Sequence, residues 1–169
     1  LQSSVAVNIT ILPVPEVTGI TYGNRTNGDN LPVTTTSLTL LFTDAMACDQ
    51  FDLGSILQVH DITPDVPETN TRVDGNSVCT NGNQKLIFTA ADQELKYGHT
   101  YRVSLATGFA NENDNPLSLT YGSADKSWTF TMAQAPTVEI VPVDGADNIA
   151  ITLPDHIFLT FSEAMDCDT

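Results

Sequence analysis

The chain has 169 residues, of which 16% are charged, and its 21 acidic residues against 6 basic ones give a formal net charge of -15. A chain of this length buries roughly two thirds of the surface that its unfolded form exposes, which is enough for a hydrophobic core without a structural metal. Because nucleic acids and anionic membranes are bound through Lys and Arg, this charge argues against both as partners, and the sequence has no apolar run of about 18 residues for membrane insertion.

Alternating strands and turns account for most of the sequence. The first strand places Val5, Val7 and Ile9 on one face and stops at Pro13, because proline has no backbone donor. Gly- and Asn-rich turns separate the strands that follow, which we expect around residues 17–20, 38–42, 56–62, 71–73, 85–89, 100–105 and 126–132. About seven short strands over about 120 residues are typical of an immunoglobulin-like antiparallel β-sandwich, so the predicted fold class is all-β.

One segment of the chain occurs twice. Residues 38–49 read LTLLFTDAMACD, and residues 157–168 read IFLTFSEAMDCD. Residues 5–15 correspond in the same way to residues 126–136, and both stretches end in proline. A period of about 120 residues predicts a tandem array of domains rather than a solenoid.

This repeat divides the chain into three predicted parts. Residues 1–14 form the last strand of a preceding repeat, residues 15–134 form one complete domain, and residues 135–169 form the first two strands of a following, truncated repeat. We therefore expect neighbouring repeats of the same protein as partners, with self-assembly into a lattice or filament as a further expectation.

Three motifs of the repeat have a known counterpart. Residues 161–166 (FSEAMD) close a second strand, residues 95–103 (LKYGHTYRV) lead into a central strand, and residues 128–131 (WTFT) form the last one. Together they resemble the bacterial Ig-like domain of the S-layer type. The resemblance implies an extracellular or cell-surface location in the repeat arrays of S-layer proteins, adhesins or secreted enzymes, where such modules act as spacers, lattice elements or adhesive surfaces.

The cysteines are interpreted through the repeat. Cys48 and Cys167 occupy equivalent positions, so neither is the natural partner of the other, whereas Cys79 lies between them. We predict a disulfide between Cys48 and Cys79, with Cys167 bonded to a partner beyond the chain end. Closing a loop of about 30 residues stabilises a domain by roughly 3 to 4 kcal/mol and requires an oxidising compartment. Buried free thiols are the alternative.

Oxygen-bearing side chains at short spacing are candidates for a Ca²⁺ site, because Ca²⁺ accepts carboxylate and amide oxygens. They follow the second strand or lie in a distant loop, without an EF-hand pattern, and are Asp44, Asp49, Asp52, Asn111, Asn113 and Asp114. The alternative is that these side chains cap turns by bonding to their own backbone. Separately, Asn24 and Asn8 lie in glycosylation sequons, the first in a loop and the second within a strand.

No catalytic motif is recognised in the sequence. His60, His99 and His156 lie on or beside strands, without a nucleophile or carboxylate at a familiar spacing. A Gly-rich phosphate loop, a zinc pattern and a nucleophile elbow are also missing. The chain is therefore predicted not to be an enzyme and to need no cofactor, with Ca²⁺ as the one candidate ion.

These observations favour a non-catalytic structural or spacer module of an extracellular repeat protein, such as a cell-surface, S-layer or filament component. One alternative is an adhesive module that binds carbohydrate or a host protein, with or without Ca²⁺; another is an accessory domain of a secreted hydrolase. Carbohydrate binding would need exposed aromatic side chains, whereas Trp128 is expected in the core. The aromatic residues predicted to lie in loops are scattered: Tyr22, Phe109 and Tyr121.

Overall fold

A computed structural model describes residues 14–64, 71–118, 127–141 and 158–162. The chain divides into two compact units, Leu1–Ala133 and Gln134–Thr169. The predicted N-terminal strand, including Asn8, lies outside the described residues apart from Val14.

The described residues of the first unit form two antiparallel sheets of four strands each. In chain order its strands are β1 (Val17–Tyr22), β2 (Ser37–Phe42), β3 (Leu57–Asp61), β4 (Thr71–Arg72), β5 (Gly75–Thr80), β6 (Lys85–Ala90), β7 (Thr100–Leu105) and β8 (Ser127–Thr131). One sheet has the order β1-β2-β6-β5, and the other has the order β4-β3-β7-β8. The predicted all-β immunoglobulin-like fold is confirmed.

Alternating burial explains how the two sheets form one core. In β2 the side chains of Leu38, Leu40 and Phe42 are 3%, 0% and 5% exposed, while the residues between them are only partly buried. Successive side chains of a strand point to opposite faces, so this period of two directs one face of each sheet inward. The core draws on both sheets and includes Leu40, Leu86 and Phe88 from the first and Val59, Tyr101, Val103 and Phe130 from the second.

The segment before β3 differs from the expected strand over residues 56–62. Residues Leu53–Ile56 form a single helical turn, α1, and β3 begins only at Leu57. Asp52 explains the difference because its side chain accepts a hydrogen bond from the backbone N–H of Gly54 at 3.2 Å, which caps the turn. The described residues also include a short 3-10 helix, Cys48–Gln50.

The described part of the second unit is an antiparallel pair of strands, β9 (Val138–Val141) and β10 (Phe158–Phe161). Val138 lies opposite Phe161, and Ile140 lies opposite Leu159. In the first unit, Val17 lies opposite Phe42 and Ile20 lies opposite Leu40. The register differs only in a bulge between Val17 and Gly19, which β9 lacks.

Candidate functional site

Residues 45–49, which read Ala-Met-Ala-Cys-Asp, form a turn directly after β2. We call this end of the first unit the corner. Met46 is fully buried, and its backbone N–H donates a hydrogen bond to the carbonyl of Asn83 at 3.0 Å. The N–H of Ala47 donates to the carbonyl of Ala110, also at 3.0 Å. The turn is thereby attached to two other loops, and its methionine belongs to the core.

A disulfide joins this corner to the edge of the first sheet. Cys48, in the 3-10 helix, is bonded to Cys79 of β5, with a Cα–Cα distance of 6.4 Å. Because β5 is the last strand of its sheet and follows β6 in the strand order, the bond fixes an edge strand. The pairing is the one that the repeat predicts, and Cys167 lies outside the described residues.

Asp44 and Asn111 meet at the same corner. Asn111 Nδ2 donates to Asp44 Oδ2 at 2.7 Å, while Asn111 Oδ1 accepts hydrogen bonds from the backbone N–H groups of Asn113 and Asn115, both at 3.0 Å. Asn111 is 1% exposed. Its buried amide therefore closes its own loop and attaches that loop to the end of β2.

The remaining calcium candidates are distributed around the corner. Asp49 is exposed, and Asp114 adopts a positive φ of 60° in the loop that follows Asn111. Asp52 caps α1 and accepts a hydrogen bond of 2.6 Å from Ser55 Oγ; the bonds from Ser55 and Gly54 lower the pKa of Asp52. Within the described ranges, no group of three or more His, Cys, Asp or Glu side chains could hold a metal ion.

Calcium binding at this corner stays a prediction. The structure brings Asp44 into contact with Asn111 through an N–H donor, so a cation bound at Asp44 Oδ2 would have to share that oxygen with the hydrogen bond. The prediction requires that added Ca²⁺ raise the melting temperature and that Asp44→Asn remove the effect.

The structure describes one of the two glycosylation candidates. Asn24 is exposed in the turn that follows β1, whereas Asn8 lies outside the described residues. An exposed turn is accessible to modification, so Asn24 keeps its place as a candidate.

A partly buried hydrogen-bonded pair, Asp61 and His99, joins β3 to the start of β7. His99 Nδ1 and Asp61 Oδ2 are 2.6 Å apart. Asp61 Oδ1 also accepts hydrogen bonds from Thr63, from Oγ1 at 2.6 Å and from the backbone N–H at 3.0 Å. Burial of the carboxyl group raises its pKa, but the hydrogen bonds from Thr63 and His99 outweigh this effect and hold the pKa of Asp61 below its ordinary value.

Sequence reasoning missed this pair because its partners are 38 residues apart. The available signal was strand adjacency, since Asp61 ends β3, His99 precedes β7, and these two strands are antiparallel neighbours. The backbone carbonyl of His99 also accepts a hydrogen bond of 2.9 Å from the N–H of Met132, just after β8. The pair therefore holds three strand ends together.

One shallow groove presents an exposed aromatic ring. Tyr97 is 46% exposed, while Tyr22 and Phe109, which were expected in loops, are 4% and 0% exposed and belong to the core. Their burial has a physical reason, because both pack edge-to-face or tilted against Phe rings. Tyr121 lies outside the described residues. The groove has a volume of about 290 Å³ and is lined by Val33, Thr36, Ala91, Asp92, Gln93, Leu95 and Tyr97.

The same reciprocal pair of hydrogen bonds occurs inside each unit, beside β1 in the first and beside β9 in the second. We call this pair of hydrogen bonds the clamp. In the first unit the N–H of Glu16 donates to Thr43 Oγ1, and the N–H of Thr43 donates to the carbonyl of Glu16, both at 2.9 Å. In the second unit the N–H of Thr137 donates to Ser162 Oγ, and the N–H of Ser162 donates to the carbonyl of Thr137, again at 2.9 Å. The sequence repeat is thus also a repeat of geometry.

No helix in the described portions of the chain is long and apolar enough to cross a membrane.

Three solved structures are similar to part of this chain. The S-layer protein rSbsC is 14% identical with a TM-score of 0.43, and the structure of domains 1-6 of the surface layer protein SbsC is 13% identical with a TM-score of 0.43. The N-terminal part of the bacterial S-layer protein SbsC is 15% identical with a TM-score of 0.44. Each similarity covers 76% of this chain but only 15%, 15% and 26%, respectively, of the S-layer chains.

Comparison with curated proteins gives no significant match. The sequence profile of the bacterial Ig-like domain family, in contrast, matches residues 14–132. This range is more than half of the chain and contains every described strand of the first unit. The chain therefore belongs to the bacterial Ig-like domain family.

Proposed function

We propose that this chain is a non-catalytic structural module that spaces or supports other parts of an extracellular or cell-surface repeat protein. The observation that carries the proposal is the duplicated clamp, formed by Glu16 with Thr43 and again by Thr137 with Ser162. The repeated sequence is explained by the repeated fold, so no catalytic residue is needed to explain it. Neighbouring repeats are its partners, and a lattice or filament is the assembly that it would serve.

The proposed domain organisation follows the repeat. Residues 15–134 form the complete domain, residues 1–14 end a preceding repeat, and residues 135–169 begin a following one. The matching registers, Val17 with Phe42 and Val138 with Phe161, support this assignment.

An extracellular location fits the covalent and electrostatic properties of the chain. The disulfide between Cys48 and Cys79 is stable in oxidising compartments and rare in reducing ones. A net charge of -15 keeps a surface protein soluble and opposes nonspecific association with other acidic surfaces. Both properties serve a spacer that has to stay folded outside the cell.

Surface exposure in the producing cells tests the proposal. An antibody raised against the chain should label intact, unpermeabilised cells, and external protease should remove that signal while a cytoplasmic marker stays intact. Labelling that requires permeabilisation would contradict an extracellular spacer.

The groove beside Tyr97 favours carbohydrate binding as a second candidate function. An exposed aromatic ring offers an apolar face to sugar C–H groups, and Asp92, Gln93 and Thr36 provide polar groups that can bond hydroxyls. The net charge of -15 disfavours anionic sugars, so the ligand class is a neutral carbohydrate.

Ligand-observed NMR with maltose, cellobiose and N-acetylglucosamine tests this second candidate. At least one sugar should show saturation transfer that Tyr97→Ala abolishes and Tyr97→Phe preserves, since Phe keeps the stacking ring. Equal signals for all three proteins, or no signal with any of the sugars, would exclude the groove as a binding site for them.

A further inference from the structure

The outer face of the sheet β4-β3-β7-β8 carries a row of basic side chains. His60 of β3 lies opposite Arg72 of β4 on one side and opposite Arg102 of β7 on the other. Successive residues of a strand point to opposite faces, and the neighbours of His60 in β3, Val59 and Asp61, are buried. The three basic side chains therefore point away from the core, and we call them the basic row.

The basic row gives this face a local charge opposite to that of the whole chain. The chain has 6 Lys and Arg residues against 21 Asp and Glu residues, and two of those basic residues, Arg72 and Arg102, lie in the row. The other residues that alternation places on the outer face of these four strands are uncharged. They are Gln58, Thr100, Ser104, Ser127, Thr129 and Thr131. The face is thus a positive patch on a strongly acidic protein.

The two arginines of the row differ in their surroundings. Arg72 Nη2 donates a hydrogen bond of 3.0 Å to the carbonyl of Gly54. Its charge also helps to lower the pKa of Asp52, after the hydrogen bonds from Ser55 and Gly54, so Asp52 offsets part of the charge of Arg72. Arg102 is exposed and makes no side-chain hydrogen bond or ion pair with any described residue. Arg102 is therefore the arginine of the row that is available to a partner.

A matching acidic surface lies at the corner of the same unit. Asp49, Glu112 and Asp114 are all exposed there, and we call them the corner carboxylates. The backbone N–H of Glu112 donates to the carbonyl of Ala45 at 3.4 Å, which attaches the loop after β7 to the turn after β2. Neither residues 45–49 nor residues 110–115 include Lys, Arg or His, so no basic residue within these segments offsets the three carboxylates.

The acidic residues at the opposite end of the unit are less suited to the row. That end follows β6, which runs antiparallel to β2. Glu94 Oε2 there accepts a hydrogen bond of 3.3 Å from the backbone N–H of Asp74, and Lys96 lies two residues further along the chain. Its carboxylate is thus partly engaged, and a basic side chain is close in sequence. The corner carboxylates are the better complement of the row.

We propose that the basic row binds the corner carboxylates of a second copy of this protein. This inference rests on the proposed structural function and names the contact between copies in its lattice or filament. Opposite charges on the two surfaces favour this one orientation, since most other pairs of surfaces on two acidic copies repel each other. The row and the corner are different patches, so every copy in a pair keeps one of each unused. Contacts of this head-to-tail kind repeat and build rings or filaments.

Sedimentation velocity over a series of protein concentrations tests the contact. All chains carry Cys167→Ser to prevent intermolecular disulfides, and a chelator keeps Ca²⁺ away from the corner. In about 0.1 M salt the screening length is about 10 Å, which reduces the net repulsion between copies but leaves charges in contact attractive. The otherwise unmodified chain should form oligomers whose size increases with concentration.

Two variants separate the two sides of the contact. Arg102→Glu alters the row, and the triple variant Asp49→Asn, Glu112→Gln and Asp114→Asn alters the corner. Each alone should weaken association by at least about tenfold, because attraction is replaced by repulsion or removed. A mixture of the two should form 1:1 pairs that do not grow, since the first keeps its corner carboxylates and the second keeps its basic row.

Matched controls change the same charge elsewhere in the first unit. Lys85→Glu alters the outer face of the other sheet, and the triple variant Asp29→Asn, Asp74→Asn and Asp92→Asn removes three exposed carboxylates away from the corner. Both controls should associate as the unmodified chain does. Because only folded chains can complement each other, pairs in the mixture also show that the row and corner variants are folded.

Several results would overturn the proposal. They are a monomeric unmodified chain, association that persists in the row or the corner variant, controls as impaired as those variants, and a mixture without pairs. A monomeric chain that binds dextran sulfate, and loses this binding in Arg102→Glu, would assign the row to an anionic polysaccharide instead. Surface labelling of intact cells tests the spacer role separately, so a displayed but monomeric protein would remove this inference alone.

Discussion

The side-chain amide of Asn111 donates a hydrogen bond of 2.7 Å to the carboxylate of Asp44, which lies 67 residues away in the sequence. The same amide accepts two backbone N–H groups from its own loop, so all its described bonds are made inside the protein. A buried polar group of this kind stabilises a fold only while its partners remain in place, because an unpaired buried group costs its full desolvation free energy. The corner is therefore sensitive to substitution at either residue.

Asn111→Ala should lower the free energy of unfolding by about 1 to 3 kcal/mol, because it leaves Asp44 and two backbone donors without their partner. Urea unfolding at neutral pH measures this change. Asn113→Ala is the matched control, since the side chain of Asn113 is exposed and its substitution should change the free energy by less than about 0.5 kcal/mol. Equal effects of the two substitutions would show that the buried amide is not the cause.

Removal of the disulfide should destabilise the first unit by about 3.5 kcal/mol, because the bond closes a separation of 31 residues and restricts the unfolded chain. Cys79→Ser tests this by urea unfolding, and reduction of the unmodified protein should lower its stability to a similar level. Cys167→Ser is the control and should leave the first unit unchanged. Stability that does not respond to reductant would contradict the effect expected of the bond.

The fold follows from local patterns that are strong in this sequence. In β2 and β7 every second residue is apolar and buried. Leu40 and Val103 are therefore predictable as core residues from their spacing alone. The disulfide was predictable because the repeat makes Cys48 and Cys167 equivalent and leaves Cys79 as the partner.

The parts that sequence did not predict depend on contacts between distant residues. Tyr22 ends a strand beside a turn, yet it is buried against Phe130, 5.2 Å away between ring centroids. Tyr97 has a similar loop context and is exposed, in a groove whose described lining contains no other aromatic ring. Local composition does not separate these two tyrosines. The pair of Asp61 and His99 was missed for the same reason, since its geometry arises only when β3 and β7 align.

The pair of Asp61 and His99 should make the free energy of unfolding decrease as pH falls in the acid range. Because the pKa of Asp61 is lower in the folded protein than its ordinary value of 3.8, its contribution is fully present above the unfolded pKa and is lost as pH falls through the folded pKa. Asp61→Asn should therefore be destabilised by about 1 to 3 kcal/mol at pH 7. This difference from the unmodified protein should shrink as pH falls below 3.8, where the unfolded chain takes up the proton, and should be smallest once the folded carboxylate is protonated as well.

Urea unfolding between pH 2 and pH 7 provides the measurement. Asp29→Asn, which alters an exposed carboxylate, should give a small difference that varies little over the same range. A difference between Asp61→Asn and the unmodified protein that stays constant down to pH 2 would rule out ionisation of Asp61 as its source.

His60 should make the folded protein less stable as pH falls from 7 towards 5. Burial of the ring, and then the positive charges of Arg72 and Arg102, lower the pKa of His60 from its ordinary value of 6.5. The unfolded chain therefore binds a proton near pH 6.5 that the folded protein takes up only at lower pH, so protonation favours unfolding across this interval. Urea unfolding of His60→Gln should show a weaker dependence on pH between 7 and 5. Arg102→Gln should weaken it partly, because one of the two repelling charges is gone, and an unchanged slope in His60→Gln would assign the pH dependence to another group.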